Sequence, residues 1–253
     1  DPRTVEGTQL GAANADIDHV IHLVDPAERY AAIVNLLLAS PDDQTLIFVR
    51  TRADAGELAA QLLREGFAAS GLSGEMEQAA RNRALAAFRH GTLRVLVATD
   101  VAARGIDVQS VTRVLHAELP RDPDAYTHRS GRTGRAGRKG VSALLIPPAA
   151  VVHATRLLRG MGVSHRFQPI PTPEQIIRAQ DDRLFEQLTA AVAAAAEPAD
   201  PERLEEPTPA PQRYAALAER LCAFGQVERT LVLLLAQSQR SAEPRRVRAL
   251  TER

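Results

Sequence analysis

Arg94-Val95-Leu96-Val97-Ala98-Thr99 is the stretch on which the fold turns. Its apolar residues are continuous rather than alternating, the pattern of a strand buried on both faces of a parallel sheet. Thr45-Leu46-Ile47-Phe48-Val49 has the same character upstream, and residues 111–116 and 141–146 repeat it downstream. Residues 18–24 alternate in part and read as a further strand, and residues 67–72 as a weak one. Helical spacing fills the gaps. Pro26 opens a helix to about Leu38, with Tyr30, Ile33, Leu36 and Leu37 on one face. Residues 53–65 form an amphipathic helix ending before Gly66, and residues 77–90 one closed by Gly91. Helices are also expected over 124–132 and 148–160. Strands alternating with helices at this spacing predict an α/β fold: right-handed crossovers and a parallel sheet covered by helices on both faces. In such sheets functional residues gather in loops at the carboxyl ends of the strands.

Composition narrows the class. A chain of 253 residues holds one domain of ordinary size and a smaller one. Hydrophobic residues make up 45% and charged residues 25%, ordinary for a globular protein. No run reaches the roughly 18 apolar residues a membrane span needs. The formal net charge is +0, so any nucleic-acid contact must come from local patches and not from bulk charge. Cys222 is the only cysteine, which excludes an internal disulfide and a Cys-rich metal site and fits a cytoplasmic location. Asp1-Pro2-Arg3 carries neither a starting Met nor a leader pattern, and reads as the start of a segment cut from a longer chain.

The character changes near residue 165. Thr172-Pro173-Glu174-Gln175 is a helix start, with Thr as N-cap, Pro at the first helical position and Gln at N3. Ile176, Ile177, Leu184, Phe185, Leu188 and Val192 then recur at helical spacing. Residues 193–211 are rich in Ala, Pro and Glu and read as an exposed linker. Tyr214, Leu217, Leu221 and Phe224 mark a second helix ending at Gly225, and Val227 to Gln237 a third that is apolar almost all round. The expected division is therefore an α/β domain over 1–168, a small all-α module over 169–238, and a charged, fraying tail over 239–253.

Two strings carry chemistry. In His128-Arg129-Ser130-Gly131-Arg132-Thr133-Gly134-Arg135-Ala136-Gly137-Arg138, arginines recur every third residue between small ones. Glycines let backbone approach a ligand, and guanidinium forks suit phosphate oxygens. A solvated basic loop would share the arginines but not the whole string after a βαβ pattern. Ala98-Thr99-Asp100-Val101-Ala102-Ala103-Arg104-Gly105-Ile106-Asp107 begins at the end of a buried strand and enters a short helix. Thr99 can donate to a phosphate and Asp107 can accept from a ribose hydroxyl; a merely capped turn uses the same residue types.

Together these strings resemble motifs VI and V of the DEAD-box family of superfamily 2 RNA helicases. Leu46-Ile47-Phe48-Val49-Arg50-Thr51-Arg52 resembles motif IV, and Gly74-Glu75-Met76-Glu77-Gln78-Ala79-Ala80-Arg81 resembles motif IVa. All four stand in family order over about 45–138. Ser73 stands where the family usually has His, and Glu75 where it often has Asp.

The resemblance implies a RecA-like sheet and a set of roles. Arg132 and Arg135 would act as arginine fingers on the ATP γ-phosphate. Asp107, with Gly105 beside it, would bind the ATP ribose. His128 and Arg129 would couple the ATP and RNA sites. Thr51, Gly74, Gln78, Arg81 and Thr99 would hold the RNA backbone, contacts that position a strand without reading its sequence. Phe48 reads as core or as support for motif VI. ATP would come with Mg²⁺, bound mainly by an N-terminal RecA-like domain of the same protein. The phosphate-cradling Gly-x-x-x-x-Gly-Lys-Ser/Thr, the Asp-Glu-Ala-Asp and the Ser-Ala-Thr of that domain are absent from these residues. The chain alone is thus expected to have negligible ATPase activity.

Residues 171–174, the helix after them and Tyr214…Phe224-Gly225-Gln226-Val227 resemble, more loosely, the dimerisation segment of Hera-like DEAD-box helicases. A homodimer through Ile177, Leu184, Phe185, Leu188, Tyr214, Leu217, Leu221, Phe224, Leu231 and Leu234 is the expectation. Short apolar helices are not stable alone; folding back on their own domain is the alternative. Two rival functions stand beside the helicase reading: a DNA-directed relative, and a non-catalytic module that binds RNA and dimerises.

Overall fold

The computed structural model describes residues 16–74, 76–103, 111–134, 137–196, 218–220, 222–223, 225–238 and 242–250. The chain divides into two compact units: residues 1–179 with 242–253, and residues 180–241.

In the first unit, β1 (Ile17–Leu23), β2 (Thr45–Phe48), β3 (Ala69–Leu72), β4 (Val95–Ala98), β5 (Arg113–His116), β6 (Gly140–Ile146) and β7 (Arg166–Phe167) form one sheet in the order β3-β4-β2-β5-β6-β1-β7. Every pairing is parallel. Helices connect them: α1 (Arg29–Ala39), α2 (Arg52–Arg64), α3 (Gln78–Arg89), α4 (Asp100–Ala103), α5 (Pro123–Ser130) and α6 (Val151–Gly160). This is the RecA-like α/β fold expected from the sequence. The two-residue β7 carried no legible pattern. It forms because Gln168 N–H reaches the Ile21 carbonyl (3.0 Å) and extends the ladder.

Period-two alternation sends neighbouring residues to opposite faces. Ile47, Val95, Val97, Leu115, Ala143 and Leu145 pack beneath α1 and α2. Leu46, Leu96 and Val114 face Phe88 of α3 and Ala102 of α4. Ile21, Leu144 and Ile146 face Tyr126 of α5 and Leu157 and Leu158 of α6. A polar seam separates the last two clusters. His116 Nε2 bonds Ser142 Oγ (3.0 Å), Ser142 bonds Ser130 Oγ (2.9 Å), and His19 Nδ1 bonds Tyr126 OH (2.6 Å). Burial pushes His116 well below its ordinary pKa, so it stays neutral in this seam.

The first unit extends past the sequence-based boundary at residue 168. Helix α7 (Pro173–Ala196) starts with the expected capping exchange: Thr172 Oγ1 accepts from Gln175 N–H (3.3 Å) and Gln175 Oε1 from Thr172 N–H (3.0 Å). Ile170 and the buried Ile176 then pack into the core beneath α1, which moves the division to 179/180. Residues 242–250, expected to fray, instead lie along α1. Arg245 N–H donates to Asn35 Oδ1 (2.7 Å), and Ala242 and Val247 touch the apolar core. Apolar side chains and a buried carboxamide hold a segment that its charges alone would leave in solvent.

The second unit contains the rest of α7 and α8 (Val227–Ser238). Among the described residues no helix is long and apolar enough to cross a membrane.

Candidate functional site

The sheet register builds the site. Leu72 pairs with Ala98, Ala98 with Phe48, and Phe48 with His116. The residues that follow therefore emerge along one edge, at the carboxyl ends of β3, β4, β2 and β5: Gly74, Thr99-Asp100, Arg50-Thr51 and Glu118. This is where open α/β sheets bind ligands. Segments scattered along the chain meet there because the strands are parallel and aligned.

Helix α5 closes the edge from above. Asp122 caps it, its Oδ1 accepting from Ala125 N–H (2.7 Å), and Pro123 occupies the first turn. Its last turn carries His128 and Arg129. Gly131 then leads into a tight loop. Thr133 is buried and donates to the Val111 carbonyl (2.7 Å), and Gly134 takes φ +66°. A β-carbon on Gly140 would run into the Thr133 side chain and the Gly134 nitrogen, so loop and β6 fit only through glycine.

Between α5 and the strand ends lies a cleft of about 770 Å³ lined by Phe48, Thr99, Asp100, Glu118, His128, Arg129 and Arg132, among others. Arg129 is its fixed point. It is buried, and its fork meets Asp100 at two points: Nε to Oδ1 (2.6 Å) and Nη2 to Oδ2 (2.7 Å). Nη1 reaches the Glu118 carbonyl (3.4 Å), and the guanidinium lies 5.1 Å from the Phe48 ring centroid. Phe48 is thus a buried platform beneath an arginine of the first string, as well as core. Glu118 in turn pairs with Arg50 (2.7 Å) and Arg29 (3.4 Å).

The structure brings Thr99, His128, Arg129 and Arg132 together in this cleft. Thr99 is buried and its hydroxyl accepts from Ala102 N–H (3.4 Å), which leaves it the capped-turn role as well. Thr51, Gly74, Gln78 and Arg81 lie outside the cleft lining. Thr51 caps α2 in a reciprocal exchange with Asp54, and its hydroxyl accepts from Asp54 N–H (3.1 Å). Gln78 is exposed and donates to Asn82 (3.0 Å); Arg81 donates to the Ala102 carbonyl (2.7 Å). Gly105, Asp107 and Arg135 lie outside the described residues. Asp100 and Glu118, which orient Arg129 and Arg50, were given no role from the sequence, since their partners are distant in the chain.

The expected dimerisation residues divide likewise. Ile177, Phe185, Leu188, Leu231 and Leu234 are exposed, Phe185 at 69%. Leu184 is half-buried. Tyr214, Leu217, Leu221 and Phe224 lie outside the described residues.

Known proteins share this domain. Residues 28–137 match the family described as helicase conserved C-terminal domain. The DEAD-box ATP-dependent RNA helicase CshA of Bacillus thuringiensis (strain Al Hakam) is 34% identical over 169 residues, which make up 67% of this chain and 32% of that protein. The chain thus spans about a third of the length of the curated relatives it matches. Among solved structures, the E. coli DEAD-box protein SrmB, crystallised with regulator of ribonuclease activity A, is 36% identical with a TM-score of 0.54. That similarity covers 62% of this chain and 92% of that one. S. cerevisiae Dbp5 bound to RNA and ADP BeF3 is 29% identical with a TM-score of 0.58, over 67% of this chain and 46% of that one. With 36% identity running through nearly the whole SrmB chain on a shared fold, this chain belongs to the DEAD-box family and carries its helicase C-terminal domain.

Proposed function

We propose that the chain is the second RecA-like half of an ATP-dependent RNA helicase. It works on ATP held mainly by a first RecA-like domain of the same protein, and it grips an RNA backbone. The observation that carries this reading is the convergence of Thr99, His128, Arg129 and Arg132 on one cleft at the carboxyl edge of the sheet. In that reading Arg132 and Arg135 meet the γ-phosphate, where developing charge is stabilised by planar cationic donors. Asp107 and Gly105 take the ribose. Arg129, already held by Asp100 and Phe48, keeps α5 in register, and His128 beside it links the nucleotide to the RNA side. Thr51, Gly74, Gln78, Arg81 and Thr99 serve the RNA backbone. The likeness to Dbp5 bound to RNA and ADP BeF3 supports both ligands. Among the described residues there is no His/Cys/Asp/Glu cluster of metal-ligating size. Mg²⁺ in this scheme accompanies the nucleotide and is held by the first domain. Closing of the two domains bends one RNA strand and separates a short duplex, and hydrolysis reopens the cleft.

The helical unit is read as a homodimerisation module. Leu231 and Leu234 of α8 are 52% and 53% exposed, and Val232 and Leu233 beside them are exposed too. An apolar helix this open is covered in a stable assembly.

The test is RNA-stimulated ATP hydrolysis by the protein that joins a first RecA-like domain to this chain. Arg132→Ala is expected to abolish stimulation while melting unchanged. Unaltered turnover removes Arg132 from the finger role. RNA binding and dimerisation with no hydrolysis by the intact protein would favour the non-catalytic reading.

A further inference from the structure

Asn35 of α1 is fully buried, and its carboxamide is spent on two separate pieces of chain. Nδ2 donates to the carbonyls of Pro171 (2.9 Å) and Arg245 (2.7 Å), and Oδ1 accepts from the Arg245 N–H (2.7 Å). One side chain thus reads both backbone groups of Arg245, as a neighbouring strand would. Around it the face is shaped for arginine. The Arg245 guanidinium lies 4.8 Å from the Tyr30 ring centroid and pairs with Glu65. Tyr30 OH donates to the same carboxylate (2.8 Å) and holds it in place, and burial with that bond pushes the Tyr30 pKa up to about 12. Three residues on, Arg248 N–H donates to Glu28 Oε2 (3.0 Å). Ala242 and Val247 fill apolar positions on either side of Arg245. Residues 242–250 adopt no helix or strand, so these contacts, with Leu250 packed against the α5–α6 cluster, define their path.

We propose that the α1 face is a docking groove for an extended, arginine-bearing segment, and that its occupant is residues 242–250 of the same chain, held as a releasable strap. Because Asn35 also holds Pro171, docking closes the chain between 171 and 245 into a loop whose two ends meet at one carboxamide. The strap residues are part-buried or exposed and none is fully buried, so the strap opens at far lower cost than the sheet. Opening frees one end of the helical unit and leaves the other attached. The inference is independent of the ATP and RNA reading.

The test is amide hydrogen exchange on the 253-residue chain, followed by mass spectrometry over 242–250. Protection of this segment is expected, with exchange slower than for the free peptide of the same sequence. Glu65→Gln and Arg245→Ala, both at part-exposed side chains, should speed its exchange by about tenfold or more while β2 and β4 stay protected. Exchange of wild-type 242–250 at the free-peptide rate would overturn the proposal. So would protection unchanged in both variants, which would mean the groove does not read arginine. Protection that disappears on dilution would assign the occupant to a second copy and overturn docking within the chain.

Discussion

Arg129 and Asp100 are joined fork to carboxylate, with the cation inside and the anion outside: the Arg129 side chain is 7% exposed and that of Asp100 47%. The arginine cannot turn to water if its partner is lost, since it is packed over Phe48. Asp100→Ala should therefore destabilise the domain by about 1–3 kcal/mol, the range for losing hydrogen bonds to a charged group that stays buried. Urea unfolding of the chain measures it. A change of a few tenths would mean that the guanidinium finds water or the Glu118 carbonyl instead. Arg129→Lys should recover little, because an ammonium cannot span both oxygens.

Gly140 and Thr133 make the second prediction. Gly140→Ala pushes a methyl into the Thr133 side chain and the Gly134 backbone. Overpacking of this kind costs about 1–3 kcal/mol. The loop must give, and with it the position of Arg132. Thermal unfolding should show the loss, and the RNA-stimulated ATPase proposed for the protein that joins a first RecA-like domain to this chain should fall further than stability alone explains. Full activity with a lowered melting temperature would place the strain away from Arg132.

The buried histidines set an acid limit. His22 is held near pKa 4 mainly by burial, and its Nδ1–H donates to the Gln168 carbonyl (2.7 Å). His19 is likewise lowered to about 4 by burial. Both folded values lie below the unfolded value, so the unfolded chain takes up protons first. Their contribution is complete above about pH 6.5 and is lost as pH falls from there to about 4. For His22 alone it is on the order of 3 kcal/mol. Unfolding free energy measured at pH 7.5 and at pH 5 should show the decline, and His22→Asn should make it shallower without removing it, since His19 and His116 remain buried. A pH-independent stability over that window would contradict the burial argument.

The exposed face of α8 predicts association. Leu231→Asp with Leu234→Asp should convert a dimer to a monomer in sedimentation equilibrium without changing the unfolding of the α/β unit. A wild-type chain that is monomeric at every concentration would remove the dimerisation reading and leave the DEAD-box assignment intact.

Much of this was legible in the sequence. Continuous apolar runs such as 45–49 and 94–99 announced strands buried on both faces, and Thr172 with Gln175 announced a helix start. Three residues of the arginine repeat, His128, Arg129 and Arg132, line the cleft at the carboxyl edge of the sheet, where the βαβ pattern places loop residues. Local chemistry determines these features: burial on two faces needs apolar residues at every position, and a cap needs its oxygen within one turn. Contacts between distant residues were not legible. Nothing in the spacing pairs Asp100 with Arg129, or Glu118 with Arg29 and Arg50, until the strand order sets β4 and β5 on either side of β2. Asn35 meets Arg245 across 210 residues, and on sequence grounds the charged segment around Arg245 belongs in solvent. The sequence determined the long buried strands, the capped helices and the residue types strung along them. Tertiary structure decided which charges meet and which segment fills the α1 face, because burial makes a polar group take whatever partner the fold brings within reach.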